Sequence, residues 1–168
     1  MVLGNSGSGK TTLARTLGDE HELAHLDLDT IAWTEPGIRR PLAESVEAIH
    51  AFDAAHRAWV MEGSYASLAR AALPLCTEVV FLNPGVEACV ANCERRPWEP
   101  EKYASPEAQT ARLPFLLDWV RSYATRDDEY GLAQHRAVFE AFDGPRSEIT
   151  ARIASPARRS DPPLTAHL

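Results

Sequence analysis

The sequence predicts an α/β protein with a parallel β-sheet and helices on both of its faces. Short apolar segments that are typical of buried strands alternate along the chain with segments of helical apolar spacing. Strands that alternate with helices in this way form a parallel sheet between two helical layers. The 168 residues have the length of a single domain.

The predicted elements follow one another from the first residue. Met1 to Leu3 is the end of a strand, so either this strand is short or the true start of the chain lies upstream of Met1. Lys10 to Leu17 has helical spacing. The later predicted strands are residues 24–29, 59–61, 78–82 and 148–153, and the later predicted helices are residues 41–58, 84–96 and 135–142.

Two further predictions concern helices. The helix at 41–58 is expected to bury Leu42, Val46, Ile49 and Phe52. Residues 97–130 are expected to be partly helical, with Pro106 and Pro114 each at the start of a helix. We expect residues 155–168 to be disordered, because this segment has too little apolar content to pack.

Composition excludes several classes of protein. A net charge of −7 argues against a dedicated nucleic-acid binder, so direct nucleic-acid contact is not expected. The sequence has neither an apolar run long enough for a membrane span nor a secretory signal pattern. We expect Cys89 and Cys93 to be buried thiols rather than metal ligands. Three cysteines are too few for a disulfide framework, so the expected location is the reducing cytoplasm.

The segment GNSGSGKT follows the first strand directly and matches the pattern GxxxxGK[ST]. Its glycines allow successive N–H groups to face phosphate oxygens, and the following helix adds its positive end. Lys10 is expected to reach the β- and γ-phosphates, and the Thr11 hydroxyl to bind Mg²⁺. The motif predicts a binding site for ATP or GTP that consists of Gly4, Asn5, Ser6, Gly7, Ser8, Gly9, Lys10, Thr11 and Thr12.

Two acidic segments are expected at the edge of the sheet where α/β proteins bind ligands. Asp27 and Asp29 alternate with leucine, so we expect both on one face of a strand end. Asp29 is the expected catalytic base, and Asp27 is expected to hold Mg²⁺ through water. Glu62 ends an apolar strand before a glycine and is a second candidate for the metal. The alternative for each is an ordinary surface acid.

Arginines are concentrated on the fourth predicted helix and after it, at positions 95, 96, 112, 121 and 126. Guanidinium groups on a lid would pair with phosphate oxygens, and Arg95 and Arg96 are the candidates for a catalytic role. Arg39 and Arg40 could bind an anionic acceptor. The alternative is that these arginines form solvated helix faces or an ordinary loop.

The segments GNSGSGKTTLARTL, HLDLDTIAW, WVMEGSY and EVVFLN resemble the adenylate-kinase-like group of small P-loop kinases, particularly DNA topology modulation (FlaR-like) proteins and uncharacterised P-loop ATPases. The resemblance implies a three-layer αβα fold with a five-stranded parallel sheet of order 2-3-1-4-5. It also implies an acceptor-binding helical segment at residues 39–58 and a helical lid. Glu62-Gly63-Ser64 departs from shikimate kinases, and Tyr65-Ala66-Ser67 from adenylate kinases, so neither shikimate nor AMP is the favoured acceptor.

Together these observations predict a kinase domain at residues 1–154, with its lid at about 95–130. The leading function is transfer of the γ-phosphate of ATP·Mg²⁺ to a small-molecule or nucleotide acceptor. The first alternative is a nucleotide-dependent ATPase or regulatory protein that transfers phosphate only to water. The second is a pseudoenzyme for which the nucleotide is a structural ligand.

Overall fold

The structure is a computed structural model and describes residues 1–35, 37–100 and 102–151. The strands are β1 (Val2–Gly4), β2 (Ala24–Asp27), β3 (Trp33–Glu35), β4 (Ile38–Arg39), β5 (Trp59–Gly63), β6 (Val79–Leu82) and β7 (Arg146–Ile149). The helices are α1 (Lys10–His21), α2 (Asp29–Ala32), α3 (Leu42–Ala55), α4 (Ala66–Ala72), α5 (Val86–Glu94), α6 (Pro106–Arg121) and α7 (Leu132–Glu140). Two 3₁₀ turns follow α4 and α6, at Leu73–Leu75 and Ser122–Ala124.

Five strands form one parallel sheet in the order β2-β5-β1-β6-β7, and β3 and β4 form a separate antiparallel hairpin. Counting only the strands of the large sheet, the order is 2-3-1-4-5, as predicted. The three residues of β1 pair with β5 on one side and with β6 on the other. The glycine-rich loop therefore leaves from the centre of the sheet.

Each face of the sheet is covered by helices because neighbouring strand residues point to opposite sides. Val2 packs with Ala14 of α1, whereas Leu3 belongs to the larger core that includes Ile49 of α3 and Val138 of α7. The fold class predicted from the alternation of strands and helices is confirmed.

Helices α5 and α6 form a third apolar cluster beside the sheet. Cys89, Val90 and Cys93 of α5 pack with Leu117 and Val120 of α6. Both cysteines are buried free thiols, and within the described residues no group of three or more His, Cys, Asp or Glu side chains is arranged to hold a metal ion by itself. None of the described helices is long and apolar enough to cross a membrane.

Several element boundaries differ from the predictions. Leu42 is 52% exposed, because α3 begins there and turns Ser45 and Ile49 inward. Pro114 lies inside α6 on its exposed side rather than at a helix start, whereas Pro106 does begin α6. The last strand spans Arg146–Ile149, two residues earlier than predicted. Residues 152–168, which include the end of the predicted strand and the predicted disordered segment, lie outside the described residues.

Candidate active site

The glycine-rich loop between β1 and α1 lies very close to the backbone of α5. Gly7 has a φ of 77°, and a Cβ at this position would lie 2.3 Å from the carbonyl oxygen of Cys89. Gly9 has a φ of 98° and caps α1, whose first turn has no side-chain cap. Glycine is favoured at both positions because positive φ strains other residues. The uncapped N–H groups of α1 thus face the site where an anion would bind.

Two asparagines fasten this loop to the helices beside it. Asn5 Nδ2 donates to the carbonyl oxygen of Val120 at 3.1 Å, and Asn92 Nδ2 donates to the carbonyl oxygen of Gly7 at 2.8 Å. Asn5 also accepts the Ser6 N–H at its Oδ1 atom. The loop shape is therefore set by α5 and α6 as well as by its glycines.

Lys10 and Thr11 contact protein groups where phosphate and metal ligands are expected. The buried Lys10 Nζ donates to the carbonyl oxygen of Asn5 at 2.9 Å, and burial lowers the pKa of its ammonium group. Thr11 Oγ1 donates to Glu62 Oε1 at 2.7 Å. The Thr11 hydroxyl and the Glu62 carboxylate, predicted separately as metal ligands, are therefore adjacent.

The prediction that Asp27 and Asp29 share one face of a strand is wrong. Strand β2 ends at Asp27, whose Oδ1 accepts the Asp29 N–H at 2.9 Å, and Asp29 is the first residue of α2. A short acidic side chain that bonds the backbone two residues later commonly turns the chain in this way. Both carboxylates nevertheless line the same cavity.

Asp29 is held by a chain of hydrogen bonds from side chains that are far apart in sequence. Trp33 Nε1 donates to the Tyr65 hydroxyl at 2.7 Å, and this hydroxyl donates to Asp29 Oδ1 at 2.7 Å. Lys102 Nζ lies 3.2 Å from Asp29 Oδ2. Burial alone would raise the pKa of Asp29, but Lys102 and Tyr65 together lower it below its usual value.

Asp27 has the opposite electrostatic environment. Burial and the neighbouring carboxylates Asp29 and Glu62 raise the pKa of Asp27 to about 6. Two adjacent carboxylates with oppositely shifted pKa values are typical of acid–base or metal-binding sites.

One cavity of about 960 Å³ joins the glycine-rich loop to the acidic pair. Its volume is at the upper end of small-molecule sites, so it has room for more than one ligand. The loop side includes Lys10 and Thr11, and the far side includes Asp27, Asp29 and aromatic side chains from α6 and neighbouring segments.

The fold is similar to that of a solved kinase. Shikimate kinase from Acinetobacter baumannii in complex with shikimate aligns with a TM-score of 0.53 and 18% identity, over 92% of this chain and 83% of that chain. The chain has the shikimate kinase fold. A sugar kinase from Janibacter sp. HTCC2649, unliganded, aligns with a TM-score of 0.48 and 14% identity, over 88% of this chain and 82% of that chain. No protein-family model and no curated protein matches the sequence, so the resemblance to DNA topology modulation proteins stays a prediction.

Within this kinase fold, most of the predicted site residues meet in the cavity. The predicted residues that line it are Ser6, Gly7, Gly9, Lys10, Thr11, Thr12, Asp27, Asp29, Glu62, Arg95 and Arg96. Gly4, Asn5 and Ser8, which belong to the same predicted motif, do not line the cavity. Arg96 lies 3.5 Å from Ser6 Oγ and pairs with Glu99 at 3.1 Å, whereas Arg95 is exposed.

Arg39 and Arg40, predicted to bind an anionic acceptor, do not line the cavity. Arg39 pairs with Glu129 at 2.9 Å and donates to the carbonyl oxygen of Ala32. Arg40 lies 3.8 Å from Glu44. Both guanidinium groups are engaged by the protein itself, so this part of the prediction is corrected. Arg112, Arg121 and Arg126 also lie outside the cavity lining.

Several residues of the cavity were not predicted from the sequence. They include Arg15, Trp33, Tyr65, Trp98, Lys102, Phe115, Trp119 and Tyr130. Tyr65 could have been found, because it follows β5 at the same sheet edge as the acidic residues. Lys102 and Trp119 reach the cavity only through the packing of distant segments.

The hydrogen bond from the Tyr65 hydroxyl to Asp29 leads to a testable prediction. If Asp29 accepts a proton from the acceptor, Tyr65→Phe should lower kcat about tenfold, because a hydrogen bond to a charged group contributes about 1.5–3 kcal/mol. The pKa of Asp29 should rise, so the acid limb of the pH–rate profile should move to higher pH. Steady-state kinetics across pH measure both effects.

Tyr123→Phe is the matched control for Tyr65→Phe. It removes another buried tyrosine hydroxyl, which bonds His135 at 2.8 Å instead of Asp29. This substitution should lower the free energy of unfolding without moving the acid limb of the pH–rate profile. An unshifted limb in Tyr65→Phe would show that the hydroxyl is only structural.

Proposed function

We propose that the protein is an ATP-dependent phosphotransferase that moves the γ-phosphate of ATP to a hydroxyl group of a small molecule. The observation that carries the proposal is the single cavity that contains both the phosphate loop with Lys10 and the acidic pair Asp27 and Asp29. A protein that only hydrolysed ATP would not need a cavity of about 960 Å³ that continues from the loop to the acidic pair and the aromatic side chains. The shared fold with a kinase supports this choice.

On the ATP side, the loop N–H groups and Lys10 would bind the β- and γ-phosphates. Lys10 Nζ, which bonds the Asn5 carbonyl oxygen at 2.9 Å, would exchange this bond for stronger ones to charged phosphate oxygens. Because burial lowers the pKa of Lys10, the incoming negative charge also favours its protonated form. Arg96, beside Ser6, is placed to neutralise charge on the transferred group.

The residues around Thr11 fit a Mg²⁺ ion. Thr11 Oγ1 and Glu62 Oε1 are oxygen atoms 2.7 Å apart, and the Glu62 carboxylate contributes to the raised pKa of Asp27, a repulsion that a bound cation would relieve. Few protein ligands plus phosphate oxygens and water are typical of Mg²⁺ sites in kinases. Thr11, with Glu62 and Asp27 through water, would hold the ion, which would neutralise charge between the β- and γ-phosphates.

Asp29 would act on the acceptor. Its carboxylate is kept ionised by Lys102 and Tyr65, and it is oriented by the Tyr65 hydroxyl. An ionised, oriented carboxylate can take the proton of an acceptor hydroxyl as its oxygen attacks the γ-phosphorus.

The proposal is tested by measuring ADP formation with ATP, Mg²⁺ and a panel of hydroxyl compounds. At least one acceptor class should raise the rate about tenfold or more above basal hydrolysis, and phosphorylated acceptor should appear in equal amount with ADP. Steady hydrolysis that no acceptor accelerates would contradict transfer and favour an ATPase. Nucleotide-dependent thermal stabilisation without ADP formation would favour a pseudoenzyme.

A further inference from the structure

Four aromatic rings form a continuous surface on the acceptor side of the cavity, here named the aromatic wall: Trp33, Tyr65, Trp119 and Tyr130. Trp33 bonds Tyr65, and the ring centres of Tyr65 and Tyr130 are 5.4 Å apart in an edge-to-face contact. Trp119 continues the surface at 5.6 Å from Tyr130. The wall begins at the ring that bonds Asp29, so it borders the predicted site of attack.

The side of the wall away from the cavity is occupied by two arginines. The guanidinium carbon of Arg39 lies 4.6 Å from the ring centre of Tyr65, and that of Arg126 lies 4.3 Å from the ring centre of Trp119. Neither arginine lines the cavity, whereas all four rings do. These cation–π contacts hold Tyr65 and Trp119 in place, so the wall is preformed rather than made of mobile side chains.

Two more aromatic side chains extend the surface from the lid. Phe115 lies one helical turn before Trp119 on α6, lines the cavity and is 69% exposed. Trp98 also lines the cavity and is 45% exposed. Large aromatic side chains exposed at the mouth of a cavity are typical of sites that enclose an apolar ligand face.

Charge limits what this surface can bind. Five cationic side chains line the cavity in the described part of the chain, and four of them lie on the loop, on α1 or just after α5: Lys10, Arg15, Arg95 and Arg96. The fifth, Lys102, contacts Asp29 at 3.2 Å and Glu99 at 3.6 Å. Beside the wall, the cavity lining of the described residues thus offers a negatively charged acceptor Asp27, Asp29 and a lysine already paired with carboxylates.

We propose that the acceptor is a neutral alcohol that carries a flat unsaturated ring, the class to which nucleosides and aryl alcohols belong. This inference rests on the proposed function and names the class of its second substrate. The ring would stack on the aromatic wall, and its hydroxyl would lie at Asp29. The hydroxyl oxygen forms the new bond to the γ-phosphorus, the bond to the β,γ-bridging oxygen breaks, ADP leaves, and the hydroxyl proton passes to the Asp29 carboxylate.

The first experiment compares acceptors that differ in one property at a time. Benzyl alcohol and cyclohexylmethanol test the flat ring, and benzyl alcohol and 4-(hydroxymethyl)benzoate test the charge. Nucleosides are compared with their 3′- and 5′-monophosphates and with hexoses. We expect kcat/KM for the best neutral flat-ring acceptor to exceed that of every anionic or saturated compound by about tenfold or more.

The second experiment tests the surface itself. Phe115→Ala should raise the acceptor KM about tenfold while the KM for ATP stays within about twofold, because stacking of one base contributes about 1–3 kcal/mol. Because Phe115 is exposed, its replacement should leave folding intact. Ile38→Ala is the matched control, since Ile38 is another exposed apolar side chain, does not line the cavity and lies outside residues 39–58.

Preference for an anionic acceptor would overturn the inference. It would point instead to Arg126, whose Nε and Nη1 atoms are buried without a hydrogen-bond partner within the described ranges. Preference for a hexose, or an unchanged acceptor KM in Phe115→Ala, would also overturn it, while leaving the kinase function intact.

A binding titration separates failure of this inference from failure of the kinase function. Trp33, Trp98 and Trp119 all line the cavity, so adenosine bound at the wall should quench tryptophan fluorescence to saturation when saturating ADP already occupies the loop side. Saturable quenching without turnover by any acceptor would support the flat-ring site and reject the kinase function. Absence of both quenching and turnover would reject both.

Discussion

Lys10→Ala is expected to abolish stabilisation of the protein by ATP and to lower phosphate transfer about 100-fold or more. Lys10 is the buried cation of the loop, and removal of one preorganised charged donor from a transfer site commonly costs this much. ATP at 100 times its Kd should stabilise the wild type by about 2.7 kcal/mol, or about 5–10 °C in Tm. Thermal unfolding with and without ATP·Mg²⁺ measures the difference.

The Tm without ATP separates loss of binding from loss of folding in this variant. Burial lowers the pKa of Lys10, so removal of its charge should offset loss of its hydrogen bond to the Asn5 carbonyl oxygen, and the Tm without ATP should change little. Arg57→Ala is the control, since it removes one positive charge from an exposed position outside the cavity lining. A normal ATP-induced shift in Lys10→Ala would contradict the assignment of the loop.

Asp29→Asn is expected to lower kcat by about 100-fold to 10,000-fold, because a positioned general base contributes about this factor. The KM for ATP should change little, since the loop proposed to bind the nucleotide lies on the opposite side of the cavity. The amide can still accept the Tyr65 hydroxyl hydrogen bond, so the geometry is retained while the base is lost. Initial rates with the best acceptor measure the effect.

Asp118→Asn provides the comparison for Asp29→Asn. It makes the same chemical change on an exposed face of α6, away from the cavity lining, and should leave kcat within about twofold of wild type. A kcat that falls less than threefold in Asp29→Asn would show that another group accepts the proton. The adjacent carboxylate of Asp27 would then be the next candidate.

The parts of the site that follow directly from short sequence patterns could be predicted. The spacing of glycines, Lys10 and Thr11 is a local pattern, and backbone geometry alone forms the phosphate loop from it. Glu62 was predicted at a strand end, and its contact with Thr11 follows because β1 and β5 are neighbours in the sheet. The order of the five sheet strands was also predicted, through the resemblance to small P-loop kinases.

The remaining parts depend on contacts between distant segments. Asp29 was predicted on a strand because apolar and acidic residues alternate there, but the Asp27 side chain turns the chain one residue later. Arg39 was predicted to be free for an anion, yet Glu129, 90 residues away, pairs with it. The position of Lys102 beside Asp29 likewise spans 73 residues, and no local pattern encodes such a contact.

The attachment of the glycine-rich loop to two helices would make the two proposed substrates energetically dependent on each other. Asn92 of α5 donates to the Gly7 carbonyl oxygen, and Asn5 donates to the Val120 carbonyl oxygen of α6, the helix whose Trp119 lines the cavity. A shift of α6 on acceptor binding would therefore also move the Val120 carbonyl oxygen, which accepts a hydrogen bond from Asn5 of the loop. Thermodynamic reciprocity then requires that ATP change the acceptor Kd by the same factor by which the acceptor changes the Kd for ATP.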